Sequence, residues 1–332
     1  ESINSFVFRY QGRENLLLNN HNITPGQTYL LEHGSVLRSP RIRPVYYSDI
    51  ARKFLKIDQR EKVVYTAENV SFRFRNSDNG VKPFNFSEES GQLIGVMGGS
   101  GVGKSTLLDL LSGKIKPQTG RIAINGHDIH EDKTNIEGVI GFVPQDDLLI
   151  EELTVFQNLY YNARLCFRNF SKTQILRTVA QILSDLELTE IRDLRVGSPL
   201  NKIISGGQRK RLNIALELMR EPLILFADEP TSGLSSMDSE NVVLLLKEQT
   251  LKGKLVLANI HQPSSDIFKL FDKLLVLDKG GRPIYYGNPI NAINYFKKIA
   301  NYVDPEEAVC DTCGNVNPEQ ILQIVETKVL DA

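Results

Sequence analysis

Residues with the types and spacing for phosphate chemistry recur along this chain. The first group is Gly98-Gly99-Ser100-Gly101-Val102-Gly103-Lys104-Ser105-Thr106, which fits GxxxxGK[ST] with Gly98 and Gly103 as its fixed glycines. The apolar run Leu93 to Met97 precedes it, and the helical pattern Thr106 to Leu111 follows. A strand passing through a glycine loop into a helix gathers backbone N–H groups and a positive helix end around one anion. In that setting Lys104 reaches the β- and γ-phosphates of a nucleotide, and the Ser105 hydroxyl holds Mg²⁺.

A second group closes the apolar run Leu223 to Ala227, whose unbroken character suits a strand buried on both faces. Asp228 at its end is assigned to the Mg²⁺ shell. Glu229 beside it is assigned as the general base for the attacking water. Gln145 and His261 each end an expected strand, where open α/β sheets collect ligand contacts. Gln145 offers an amide oxygen to Mg²⁺ or water and an N–H₂ to a γ-phosphate oxygen; His261 is placed to donate to the γ-phosphate. Finally, Ser205-Gly206-Gly207-Gln208 opens a helix whose first turn bares N–H groups, a second anion site. Two phosphate-binding helix starts and one nucleotide invite a sandwich, in which one copy's glycine loop and another copy's Ser205–Gln208 clamp the same γ-phosphate.

The elements that must position these groups follow from periodicity and turn signals. Residues 1–60 show short strand-like runs at Phe6–Tyr10, Gln27–Leu31 and Ser35–Arg38, and then a short helix through Ala51, Phe54 and Leu55. From Lys62 onward, Val63–Tyr65, Val70–Phe74 and Pro83–Phe86 read as antiparallel strands, with a turn at Ser77–Gly80. Gly120–Gly126 is a strand closed by Asn-Gly, and Val139–Val143 is another. Thr154 with Gln157, and Ser171 with Gln174, are capping boxes that open helices. A third helix follows Gln208 and stops at Pro222. A helix from Ser239 to about Leu251, a strand Leu255–Ile260 and a hairpin around Gly280-Gly281 complete the pattern.

Composition narrows the setting. The 332 residues have room for about two domains. Hydrophobic residues at 41% and charged residues at 24% suit an ordinary buried core. A net charge of −1 supplies no electrostatic footprint for nucleic acid. Three cysteines, Cys166, Cys310 and Cys313, are too few for a disulfide framework and fit a reducing compartment. Cys310-Asp311-Thr312-Cys313 has the spacing of half a zinc ribbon, but a structural site needs four ligands and no second pair exists, so a plain reduced pair or a redox-sensitive one is expected ahead of zinc. No apolar run approaches the ~20 residues needed to cross a bilayer. The first residue is Glu1, so an excised piece of a longer chain is expected.

The order of the glycine loop, Val143-Pro144-Gln145, Ile204-Ser205-Gly206-Gly207-Gln208, Leu225 to Thr231 and His261 resembles the nucleotide-binding domain of an ABC transporter. Thr231-Ser232-Gly233-Leu234, Ile260-His261-Gln262-Pro263-Ser264, Arg209-Lys210-Arg211-Leu212 and Asn317-Pro318-Glu319-Gln320 resemble its G subfamily. That is the type of the white and multidrug half-transporters and their bacterial relatives, where the ATPase domain precedes the membrane helices.

The resemblance implies a P-loop NTPase of ABC type: a RecA-like parallel-sheet core, an antiparallel β subdomain and a helical subdomain at about 150–220. This α/β domain spans 62–300. It is preceded by the small β-rich unit at 1–60 and followed by an extension at 301–332 toward a membrane domain. The resemblance further implies ATP and Mg²⁺, with Phe74 stacked on adenine, Gly98 to Thr106 around the phosphates, and Gln145 coupling the site to the membrane domain. Ser205, Gly206, Gly207 and Gln208 would act on the ATP of a second copy. The membrane domain would lie on the same longer chain or on a partner chain, with the ATPase at the cytoplasmic face and the fragment itself soluble. ATP hydrolysis would power transport. A soluble ABC ATPase of translation or DNA repair is the main rival, and a P-loop scaffold that binds ATP without turnover is another. Two positions depart from the family's pattern: Ser235 stands where an Asp is usual in the loop crossing the dimer interface, and Phe74 replaces the commoner Tyr.

Overall fold

The computed structural model describes residues 6–12, 15–18, 21–31, 35–39, 42–46, 50, 62–77, 79–132, 136, 138–198, 203–301 and 315–327. The helix expected through Ala51, Phe54 and Leu55 lies outside the described residues, as do Cys310 and Cys313.

The N-terminal stretch carries six short strands among the described residues. Strands β1 (Phe6–Arg9), β2 (Leu17–Leu18), β3 (His21–Asn22), β4 (Thr28–Leu31), β5 (Val36–Ser39) and β6 (Ile42–Tyr46) form an antiparallel β1–β4 pair and a four-stranded sheet ordered β3-β2-β5-β6. Phe6, Phe8 and Leu251 pack against the buried Leu31, so this unit has an apolar contact with the body of the protein.

Strands β7 (Val64–Arg73) and β8 (Gly80–Glu89) are long antiparallel partners. What the periodicity divides into two strands, Val63–Tyr65 and Val70–Phe74, is one strand with an irregularity between. Asn69 sits there in the left-handed region at φ 49°, and the register shifts between Ala67 and Val70. Beyond β9 (Leu93–Gly98) and helix α1 (Lys104–Leu111), strand β10 (Thr119–Ile124) turns into β11 (His127–Asp128). The turn is Asn125-Gly126 with both φ values positive, as a tight hairpin of matching twist requires. Together these strands make a four-stranded sheet ordered β11-β10-β7-β8.

The second sheet carries the chemistry. Strands β12 (Ile140–Val143), β13 (Ile224–Ala227), β14 (Leu255–Asn259), β15 (Lys273–Asp278) and β16 (Arg282–Gly287) join β9 in the order β12-β13-β14-β9-β15-β16. All neighbours from β12 to β15 are parallel; only β16 returns antiparallel. Every residue of β9, β13 and β14 is buried, which explains why these stretches read as unbroken apolar runs rather than alternating ones. Because the parallel strands point the same way, the residues following β9, β12, β13 and β14 collect at one edge.

Helices cover the sheet. Leu107, Leu108, Leu110 and Leu111 of α1 pack among Tyr65 and Phe86 of the antiparallel sheet and Ile94 and Phe226 of the parallel one. The Tyr65 hydroxyl, fully buried, donates to the Leu111 carbonyl at 2.5 Å. Helices α2 (Val155–Cys166), α3 (Lys172–Asp185), α4 (Gly206–Leu218) and α5 (Ser236–Leu251) share another core, built from Leu159, Ile175, Val179, Leu212 and Leu246. Both expected capping boxes are formed.

Some boundaries differ from the sequence pattern. Helix α5 begins at Ser236 rather than Ser239 because the Ser235 hydroxyl caps it, accepting from the Asp238 N–H at 3.2 Å. Helices α6 (Ser265–Leu270), α7 (Pro289–Ile299) and α8 (Glu319–Glu326) were not anticipated. Two of them start on local signals, Ser264 as a cap and Asn288 capping ahead of Pro289. Val316, Ile321 and Leu322 fold back against Met97, Val276 and Phe296. Among the described residues no helix is long and apolar enough to cross a membrane.

Candidate active site

The phosphate loop leaves β9 and enters α1 through Gly103, whose φ of 106° is a conformation that side chains resist. Gly103 occupies the cap position of α1 and no side chain caps the helix there, so the first-turn N–H groups are left for a ligand. Lys104 is buried, 6% exposed, and its ammonium donates to the carbonyls of Gly98 at 2.9 Å and Gly99 at 2.8 Å. Burial lowers the Lys104 pKa, while the carboxylates of Glu229, Asp228 and Glu326 push it back up. Ser100, Gly101, Val102 and Thr106 complete the loop, with Val102 turned into the core.

Ser105 meets the second group directly. Its hydroxyl donates to Asp228 Oδ1 at 3.1 Å, so the loop and the end of β13 are joined. The same oxygen accepts from Asn259 Nδ2 at 2.7 Å. The next residue, Glu229, has φ 43°, a left-handed conformation that is costly for a side chain of this kind. Gln145, one residue beyond Pro144 at the end of β12, donates through Nε2 to Glu229 Oε2 at 3.0 Å. These contacts bring Lys104, Ser105, Asp228, Glu229 and Gln145 together, at the sheet edge where the parallel strands end.

His261 is exposed, two residues past the end of β14. Its neighbour Ile260 donates to Val96 of β9 at 3.0 Å, which holds the His261 segment beside the strand that feeds the phosphate loop. Phe74 lies just beyond β7, 44% exposed, with its ring edge-on to Phe72 at 5.0 Å. An exposed ring supported from behind by another aromatic is a suitable stacking platform.

Ser205, Gly206, Gly207 and Gln208 form the start of α4 as a full capping box: Gln208 N–H donates to Ser205 Oγ at 3.1 Å, and Ser205 N–H donates to Gln208 Oε1 at 2.8 Å. Close packing against α5 requires a glycine at position 207. A Cβ on Gly207 would lie 2.2 Å from Asp238 Oδ1. Ser235 also donates to Asp238 Oδ2 at 2.8 Å, so its hydroxyl serves α5. Among the described residues no hydrogen bond joins Ser205–Gln208 to the phosphate loop of the same chain.

Asn259 was missed by sequence reasoning because Leu255–Ile260 read as uniform strand. It is fully buried, and its Oδ1 has no hydrogen-bond partner. A carboxamide buried at the end of an apolar strand, close before His261, is the signal that was available.

Among the described residues no cluster of three or more His, Cys, Asp or Glu is arranged to hold a metal ion. Mg²⁺ is usually held by one or two carboxylates, a hydroxyl and substrate phosphates rather than by a closed protein cage. Ser105 Oγ, the Asp228 carboxylate and the Gln145 amide oxygen are a donor set of that kind, all oxygen and all hard.

A family model described as "ABC transporter" matches residues 81–232, and one described as "ABC-2 type transporter" matches residues 261–319. A "Probable ATP-dependent permease" of Saccharomyces cerevisiae is 36% identical over 81% of this chain and 26% of its own length. The "ATP-binding cassette sub-family G member 8" of Rattus norvegicus is 32% identical over 94% of this chain and 45% of its own. The chain thus spans less than half the length of these relatives. Among solved structures, cbiO1 of Clostridium perfringens, described as part of the ABC transporter complex cbiONQ, superposes with a TM-score of 0.61 at 27% identity, covering 73% of this chain and 96% of that one. The edge at which Ser105, Asp228, Glu229 and Gln145 meet lies within these matches, and the chain belongs to the ABC transporter family, as a nucleotide-binding ATPase domain resembling the G subfamily.

Proposed function

We propose that two copies of this chain close head to tail around two ATP molecules with Mg²⁺, and that closure and reopening drive transport of a substrate through an attached membrane domain. The observation that carries the reading is the pair of bonds Ser105–Asp228 and Gln145–Glu229 beside the phosphate loop. The second helix start at Ser205–Gln208, where each capping side chain accepts from the other residue's backbone N–H, supports the two-copy arrangement.

In this reading Lys104 exchanges the Gly98 and Gly99 carbonyls for the β- and γ-phosphates, and the first-turn N–H groups of α1 hold the rest of the chain of phosphates. Phe74 stacks on the adenine. Ser105, Asp228 and Gln145 hold Mg²⁺, which when bound neutralises charge on the phosphate oxygens. Glu229 takes the proton of the attacking water, with Gln145 fixing the direction of its carboxylate. His261 donates to the γ-phosphate. Ser205 and the backbone N–H groups that follow it bind the γ-phosphate held by the other copy, so neither chain completes a site alone.

The membrane domain lies on the same longer chain or on a partner chain, with the ATPase at the cytoplasmic face. The match of residues 261–319 to an ABC-2 type transporter model supports that attachment. We take residues 62–300 as the ATPase unit, with a helical part at about 150–220. Residues 1–60 are an accessory β-rich unit, and residues 301–332 extend toward the membrane domain.

The test is the dependence of Mg²⁺-stimulated ATP hydrolysis on chain concentration. At dilutions where copies separate, the rate should rise with the square of concentration. A rate strictly proportional to concentration throughout would overturn the two-copy site.

A further inference from the structure

Helix α4 grips the segment that carries Gln145. Lys210, one turn into α4 and 8% exposed, donates from Nζ to the backbone carbonyl of Gln145 at 2.8 Å. Its neighbour Arg209 holds Asp147 by a two-pronged contact, Nε to Oδ2 at 2.5 Å and Nη2 to Oδ1 at 3.0 Å. Arg209 also donates to the Gly197 carbonyl at 2.5 Å. The side chain of Gln145 leaves the same residue whose carbonyl Lys210 holds, and it ends on Glu229.

A buried ammonium is an expensive way to fill space. Desolvation pushes the Lys210 pKa down, opposed by the carboxylates of Asp147, Asp146, Asp228 and Glu229. An apolar side chain of the same length would fill the position without that cost. What the lysine adds is a charge-assisted bond, stronger than a neutral one, to a single carbonyl in an otherwise exposed loop.

We propose that Lys210 is a positioning residue for hydrolysis: it pins the backbone of Gln145, and so ties the helix that begins at Ser205 to the Gln145–Glu229 pair. The inference rests on the two-copy ATPase reading. Movement of α4 against the nucleotide of the other copy is then passed to the chain's own hydrolytic pair by the ammonium–carbonyl bond at Gln145 itself, with Arg209 holding Asp147 two residues on. This route does not use Ser235, whose hydroxyl is engaged in capping α5.

The experiment is a mutant cycle in steady-state ATP hydrolysis, with wild type, Lys210→Met, Gln145→Ala and the double variant. Thermal melting of each variant checks folding. Lys210→Met, of similar length and uncharged, should lower kcat roughly ten-fold or more, the scale of a lost bond to a charged group, with KM little changed. In the Gln145→Ala background the same substitution should cause no further loss, because Lys210 acts through Gln145. If Lys210→Met fails to fold, Lys210→Gln carries the cycle, since its shorter amide cannot span to the carbonyl. An unchanged kcat in the folded variant, or losses that multiply in the double variant, overturns the proposal. A wild-type protein that neither binds nor hydrolyses ATP overturns the ATPase reading instead, so the two failures are distinct.

Discussion

The Gln145 amide nitrogen donates to the Glu229 carboxylate at 3.0 Å, bridging the ends of the neighbouring strands β12 and β13. Glu229 is held there in a left-handed backbone conformation, so its direction is fixed from both sides. A carboxylate held this way can act as a base only while it is a carboxylate. Glu229→Gln keeps the size and an oxygen for Gln145 but removes the base. Turnover should fall by roughly a hundred-fold or more, the usual scale for a general base, while ATP binding persists. Size-exclusion chromatography with Mg²⁺-ATP should then show an accumulated dimer. Normal turnover in this variant would sink the assignment.

Asp228 Oδ1 accepts from both Ser105 and Asn259, which orients the carboxylate and leaves Oδ2 for the metal shell. Asn259→Ala removes one of the two donors without touching a residue assigned to the metal. Loss of a group that orients a metal ligand usually weakens metal affinity by roughly 10–100-fold. The Mg²⁺ concentration for half-maximal ATP hydrolysis should rise accordingly, with Mg²⁺-free ATP binding little affected. An unshifted Mg²⁺ titration would show that Ser105 alone orients Asp228.

Features written in consecutive residues were legible in the sequence. The glycine loop, the Thr154–Gln157 and Ser171–Gln174 capping boxes, and the buried strands at Leu93 and Leu223 each rest on interactions within a few positions. The contacts that finish the site do not. Asn259 meets Asp228 from a different strand, and Lys210 reaches the loop at Gln145 from a helix distant in sequence. Which polar atom faces which depends on the order β12-β13-β14-β9, and nothing local to Lys210 or Asn259 states that order. Helix α8 escaped for a similar reason: its eight residues are stabilised by burying Ile321 and Leu322 against distant elements rather than by a side-chain cap.

Helix α8 also brings a charge to the phosphate loop. The exposed Glu326 at its end lies so close to Gly99 that a Cβ there would sit 2.6 Å from Glu326 Oε1. The phosphates of ATP arrive at the same loop with the same sign of charge. Glu326→Gln should therefore tighten ATP binding by about two- to five-fold at low ionic strength, and the gain should shrink as salt screens it. Binding isotherms at two salt concentrations measure both effects. An equal or weaker affinity at low salt would mean that the carboxylate withdraws without opposing the nucleotide.

Ser205 is assigned two roles that a single substitution separates: it caps α4 in its own chain, and it offers its hydroxyl to the γ-phosphate held by the other. Ser205→Ala removes both, and the lost cap alone should cost about 1 kcal/mol of stability. Aspartate also caps helices well, and its charge is favoured by the positive end of α4. Ser205→Asp should therefore melt at or above the wild-type temperature. The same charge faces the partner's γ-phosphate across the closed pair, where like charges brought together cost several kcal/mol. ATP-driven dimerisation and turnover should then fall by roughly a hundred-fold or more, in a protein that is no less stable. Wild-type turnover in a stable Ser205→Asp protein would confine Ser205 to capping, and the anion site at the start of α4 would lose its partner.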